Sequence, residues 1–273
     1  MILKKKKTIT NQNKQFQNHT FAICAYKESK YLEKCIISLL KQNVKSNIIM
    51  ATSTPNEYIE QMAEKYHIPL YINEGEKGIG QDWNFAVSQC STDYVTVAHQ
   101  DDIYQENYLE EIVKQLEKGK DFVIAFTDYQ EIKNGEVIPL TRNLKIKKIL
   151  LMPLRFGGKS KLIKRRIMSV GSPICCPSVT VNTKILGKKP YKTDLKCDLD
   201  WDSFYTFASY KGRFLYIHQY LMLHRIHEES ETSNLIHNHV RLEEDLQMLE
   251  RFWPKPIAKV IMHFYHKAIE TNE

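Results

Sequence analysis

The chain has 273 residues, of which 42% are apolar, and 39 Lys and Arg against 32 Asp and Glu give a net charge of +7. That length suits one large α/β domain with a substantial core, and no stretch approaches the roughly 18 to 20 apolar residues of a spanning helix. The cysteines at 24, 35, 90, 175, 176 and 197 show no CxxC spacing and follow no apolar leader, which argues against a disulfide framework and for reduced thiols in a cytoplasmic chain, soluble or peripheral to a membrane.

Residues 1–18 are polar and rich in Lys, Asn and Gln, and read as a flexible basic leader. Thr20 to Tyr26 then reads as a buried strand. Lys30 to Gln42 carries Leu32, Cys35, Ile36, Leu39 and Leu40 at helical spacing. A second strand is expected at Asn47 to Ala51, a helix opened by Pro55 and running to Tyr66, and a third strand at Ile68 to Ile72. After a loop with Gly75, Gly78 and Gly80, Asp82 to Cys90 reads as helix and Tyr94 to Ala98 as the fourth strand. Alternating strands and helices predict a mostly parallel sheet covered on both faces.

The fourth strand stops at His99, Gln100, Asp101 and Asp102. Adjacent carboxylates at the edge of a core repel unless a cation or hydrogen bonds offset them. Hard oxygen ligands suit Mg²⁺ or Mn²⁺ and, through it, phosphate; the alternative is that Asp102 caps the next helix while Asp101 is solvated.

Tyr108 to Lys118 reads as that helix, Phe122 to Asp128 as a strand, and Lys133 to Gly135 as a turn. Residues 139–170 combine Pro153, Gly157, Gly158 and many bases, and are expected to form a mobile excursion before a strand at Ser178 to Asn182. A helix from Trp201 to Tyr210, a strand at Arg213 to Ile217 and a helical tail from His237 complete the chain.

Asp198, Asp200, Trp201 and Asp202 open the predicted helix, where acids gain from capping and the macrodipole. Trp201 beside Asp200 could equally desolvate it into a general base for a hydroxyl. His224, Arg225 and His227, before Ser230, form a short loop with metal and phosphate ligands, or else are structural.

Taken in order, these segments resemble bacterial family 2 glycosyltransferases of the GT-A fold over roughly residues 20–235. The resemblance implies a GT-A Rossmann-like sheet at 19–235 with a C-terminal helical extension at 236–273. It also implies an inverting enzyme that moves a sugar from a nucleotide-diphosphate sugar to an acceptor hydroxyl, a glycan or lipid-linked acceptor, in surface polysaccharide or glycolipid synthesis. His99 to Asp101 matches the family's Asp-x-Asp segment with His in the first place. Asp101 would then hold Mn²⁺ or Mg²⁺ with Asp102 and His227, Asp200 would be the catalytic base, and Ala25, Tyr26, Glu28, Ser53, Lys77, Asp82, Gln100, Asp102 and Arg225 would contact the donor.

The basic stretch Lys145 to Arg166, with apolar residues interleaved, and the tail Phe252 to Ile269 fit an anionic membrane at the inner face of the plasma membrane. The other reading makes them an exposed loop and a core-packed helix. No nucleic acid is expected as a partner, because no stacking array accompanies the charge. A non-catalytic protein of the same fold, holding anionic lipid, glycan or nucleic acid, is the competing reading. A nucleotidyltransferase would need a glycine-rich phosphate loop after the first strand, and Ala25 to Lys30 has no glycine.

Overall fold

A computed structural model describes residues 14–227 and 240–270. Lys4 to Lys7, Ser230 and His237 fall outside the described residues. The first half of the fold alternates β1 (Lys14–Ala25), α1 (Leu32–Leu40), β2 (Val44–Thr52), α2 (Glu57–Lys65), β3 (Leu70–Ile72), α3 (Ile79–Ser88) and β4 (Tyr94–His99). Strand β1 begins inside the segment expected as leader. Helix α2 starts at Glu57, two residues later than the Pro55 reading, because the Asn56 side chain caps it by accepting from Ile59 N at 3.0 Å.

Then follow β5 (Ile103–Tyr104), α4 (Tyr108–Glu117), β6 (Ile124–Lys133), β7 (Glu136–Val137), α5 (Arg142–Leu151), α6 (Leu154–Gly157), α7 (Lys161–Arg166), β8 (Thr180–Asn182), α8 (Thr183–Leu186), α9 (Leu199–Phe207), β9 (Phe214–Ile226), α10 (Val240–Glu250) and α11 (Lys255–Glu270). The sheet order is β3-β2-β1-β4-β8-β6-β9-β5, with β7 beside β6. Strands β1, β2, β3, β4, β6 and β9 share one direction, so the sheet is mostly parallel, as the alternation predicted.

Successive residues of β1 serve opposite faces. Phe21, Ile23 and Ala25 join α1, α2 and α4 in one core, while Ala22 joins α3, α9 and the tail residues Met248, Leu249 and Ala258 in the other. The expected excursion at 139–170 is instead three short helices, α5 to α7. Thr141 and Ser160 cap two of them, and Leu151, Leu154 and Ile167 pack into the second core.

Two contacts hold the segment before α9 against α3. The Asn84 amide bonds both the N–H and the carbonyl of Tyr191, each at 2.8 Å. Gly80 lets the chain approach closely, since a Cβ there would meet the Lys192 carbonyl at 2.7 Å.

Candidate active site

Strand β4 ends at His99, and the chain turns so that Asp101 and Asp102 face the far end of β9. Sequence placed the β9 strand at 213–217 and His224 to His227 in a loop. The structure corrects this: β9 continues to Ile226, and β5 pairs with it through Ile103 and Leu223, Tyr104 and Met222. Arg225 therefore enters the site as a strand residue. Its N–H donates to Asp102 Oδ1 at 2.8 Å, and its Nε donates to the Asp101 carbonyl at 2.8 Å.

Neither alternative for the acid pair holds. Asp102 is buried against Arg225, and α4 starts at Tyr108, so Asp102 is not its cap. Asp101 is not merely solvated, for its Oδ2 bonds His227 Nε2 at 2.9 Å. His99, whose ring stacks on Trp83 at 5.1 Å, lies with Asp101 and Asp102 so that one ligand atom from each falls within 4.8 Å of the others.

The electrostatics suit a cation. Burial, and then Asp101, push the Asp102 carboxyl well above the usual carboxylate range. Burial opposes ionisation of Asp101, yet the His227 bond, with His99 and His224 nearby, holds it below its ordinary value. Burial lowers His99 and takes His224 to about 4, which leaves both imidazoles neutral near pH 7. His99 Nε2 and Asp102 Oδ2 are buried without a hydrogen-bond partner. Two orphaned acceptors beside a second carboxylate, Asp101, fit a divalent metal. His99 belongs to this set although sequence reasoning named His227 in its place, and His227 instead bonds Asp101.

The donor-side residues sort into contacts and supports. Ala25 is buried at the end of β1, Tyr26 and Glu28 are exposed beyond it, and Lys77 is exposed before α3. Gln100 does not reach outward: its Oε1 accepts from Tyr26 N at 3.0 Å and its Nε2 donates to Tyr26 O at 2.9 Å, which clamps that backbone. Asp82 is occupied as well, taking bonds from Ser53 Oγ and Asn73 Nδ2, each at 2.7 Å. Ser53, Asp82 and Gln100 thus spend their polar groups on bonds within the protein. Arg225 is turned inward with only 4% exposure, its guanidinium over the Tyr31 ring at 4.3 Å.

At the start of α9 the acids separate by role. Asp202 is 1% exposed and paired with Arg251 of the segment after α10, a structural bridge. Asp198 is pushed up by burial and by Asp245. Asp200 is half-buried, accepts from Trp201 N at 2.6 Å, and burial raises it to about 6. Trp201 is no wall of the site; it is buried in the core and stacked on Phe252 at 6.3 Å. Asp200 and Asp102 both raise the half-buried Cys175 thiol and the buried Cys176 thiol, after burial itself.

Lys147 is the site residue that sequence reasoning missed. It leaves α5, bonds Tyr129 Oη at 3.2 Å, and lies close enough to Asp200, His224 and Cys175 to act on each. The signal was present: Leu144, Lys147, Lys148 and Leu151 fall on one helical stripe, the face that α5 buries.

The glycosyl transferase family 2 model matches residues 20–180. Two *Streptococcus pneumoniae* proteins align with parts of the chain: glycosyltransferase GlyG, 31% identical over 39% of this chain and 38% of its own length, and glycosyltransferase GlyA, 28% identical over 36% and 15%. The chain thus spans well under half of either relative. Among solved structures, *Staphylococcus aureus* TarS 1–349 superposes with a TM-score of 0.63 at 13% identity, covering 90% of this chain and 69% of that one. The mannosyltransferase PcManGT of *Pyrobaculum calidifontis*, solved with GDP-Man and Mn²⁺, gives 0.59 at 13% identity, covering 91% and 69%. These likenesses carry the GT-A fold. With the family model matched from β1 to β8, through the His99, Asp101 and Asp102 turn, the chain belongs to glycosyl transferase family 2.

Proposed function

We propose that this protein transfers a sugar from a nucleotide-diphosphate sugar to an acceptor hydroxyl with inversion at the anomeric carbon. The acceptor is a glycan or a lipid-linked glycan at an anionic membrane, in surface polysaccharide or glycolipid synthesis. The observation that carries the reading is the cluster of His99, Asp101 and Asp102, whose ligand atoms lie within 4.8 Å of one another in a chain matched by the glycosyl transferase family 2 model.

His99, Asp101 and Asp102 would hold Mn²⁺ or Mg²⁺, which when bound supplies positive charge to the diphosphate. Arg225 fixes Asp102 and Asp101 at one end of the cluster, and His227 steadies the Asp101 carboxylate. The Gln100 clamp holds the Tyr26 backbone for the nucleotide. Asp200 takes the proton from the acceptor hydroxyl, whose oxygen attacks the anomeric carbon. The bond to the diphosphate breaks from the opposite side, and its electron pair leaves on the phosphate oxygen.

The test is Asp200→Asn in a thermal-shift screen of nucleotide diphosphates and their sugars with and without Mn²⁺, paired with a transfer assay. Retained donor stabilisation with transfer reduced by roughly two to four powers of ten supports the reading. Intact transfer removes Asp200 from the role of base.

A further inference from the structure

We infer that a second, basic cavity of this protein binds the phosphate headgroup of an anionic phospholipid. The cavity measures about 420 Å³, within the range of small-molecule sites, and opens along the first half of β9 at Phe214 to Gln219. Arg225 lies six residues beyond Gln219 on the same extended strand, which separates cavity and carboxylates by roughly 20 Å at the rise of a strand.

Lys120, Arg155, Arg213 and His218 line the cavity, and no carboxylate does. Arg213 Nε is buried there without a hydrogen-bond partner. Two acids bond lining residues; one, Glu111, accepts from Gln219 Nε2 at 3.0 Å and is itself paired with Lys114, and the other is Asp128. It is 4% exposed beneath the strand and already engaged by Tyr216 Oη at 2.5 Å, His218 Nδ1 at 2.8 Å and Lys148 Nζ at 3.4 Å. A site with cationic walls, one unpartnered guanidinium nitrogen and no carboxylate in its lining matches a phosphate monoanion or diester.

The rim selects the lipid over a free phosphate. Phe156, next to Arg155, lines the mouth and is 94% exposed; the neighbouring helices α5 and α7 expose Ile149 at 69% and Leu162 at 75%. Large apolar side chains left in water beside a basic cavity fit the headgroup and acyl boundary of a bilayer. The inference rests on the membrane part of the proposed function and not on the transfer chemistry.

Co-sedimentation of the whole protein with vesicles of phosphatidylcholine, with and without phosphatidylglycerol, tests it without any transfer readout. The wild type is expected to bind only the vesicles that contain phosphatidylglycerol. The double variant Lys120→Gln with Arg155→Gln should bind about thirtyfold more weakly, from two surface cations near the headgroups. A charge-matched control, Lys34→Gln with Lys41→Gln, exposed on α1 and just past its end, should fall by less than threefold or so, and Phe156→Ser should weaken binding without altering net charge. Equal loss in both double variants overturns the cavity, because it would show only net charge at work. Binding to pure phosphatidylcholine at the same strength, or saturable binding of glycerol phosphate with no vesicle binding, overturns the lipid headgroup as the occupant. Loss of the transferase reading would leave these outcomes intact, since none of them measures sugar transfer.

Discussion

The Arg225 main chain donates to Asp102 Oδ1 at 2.8 Å across 123 residues of sequence, and this single bond joins the ends of β4 and β9 at the carboxylate cluster. It leaves Asp102 Oδ2 without a partner and so aims it at the space shared with His99 and Asp101. The Arg225 side chain adds a second tie through the Asp101 carbonyl. Replacing Arg225 by Lys keeps the main-chain bond and the positive charge but loses the Nε donor and the flat contact with Tyr31. Affinity for Mn²⁺ by titration calorimetry should drop about tenfold or more, the usual cost of removing a group that orients metal ligands. An unchanged affinity would reduce Arg225 to packing.

Much of this site was legible in the chain, and the reasons differ by element. The first four strands carry uninterrupted apolar runs with helical stripes between them, so their order and the abrupt stop at Asp101 and Asp102 could be read directly. The extension of β9 could not, because His218, Gln219 and Tyr220 are exposed and polar in the middle of the strand and break the apolar run. Nor does sequence reveal that Gln100 spends both ends of its amide on Tyr26, or that Ser53 and Asp82 bond each other. Those pairings are long-range and depend on how strands align. Residues 139–170 were misjudged because their bases and glycines outweighed a buried stripe of only Leu144, Lys147, Lys148 and Leu151.

The pH dependence should follow Asp200. Burial raises this carboxyl to about 6, so catalytic efficiency under limiting donor is expected to rise through that pH and level above it, as the base ionises. The same shift has a stability signature. The carboxyl titrates near 3.9 when unfolded, so its folded-state contribution is fully present below that pH and is lost as pH rises through about 6. Asp200→Asn should therefore raise the unfolding free energy at pH 8 by about 1–3 kcal/mol and leave it nearly unchanged at pH 4. Denaturant melts at the two pH values decide it. Equal effects at both would mean that Asp200 is not held in a desolvated state.

Lys147 is expected to matter through charge. Among the described residues it acts on Asp200 together with Arg241, and both favour the ionised base. Lys147→Met should move the acidic limb of the rate profile to higher pH, with a larger deficit at pH 6 than at pH 8 and little change in donor binding. Lys147→Arg should restore most of the profile. A uniform loss at every pH would point instead to a contact with substrate.

Helix α10 and the residue that follows it brace the segment that carries Asp200. Glu244 of α10 accepts from the N–H groups of Lys196, Cys197 and Asp198 at 2.7–3.2 Å, which shapes the turn that delivers Asp200. Seven residues on, Arg251 pairs with the buried Asp202 one turn inside α9. Asp202 is nearly sealed from water while Arg251 keeps 28% of its side-chain surface, so removing the arginine strands a buried charge. Arg251→Met should cost about 3 kcal/mol and lower the melting temperature by several degrees, whereas the double variant with Asp202→Asn should recover part of that loss. Because α9 carries Asp200, transfer should weaken in the single variant even where the protein remains folded. A melting temperature that does not move would show that Asp202 finds other partners and that the tail is not needed to hold the base.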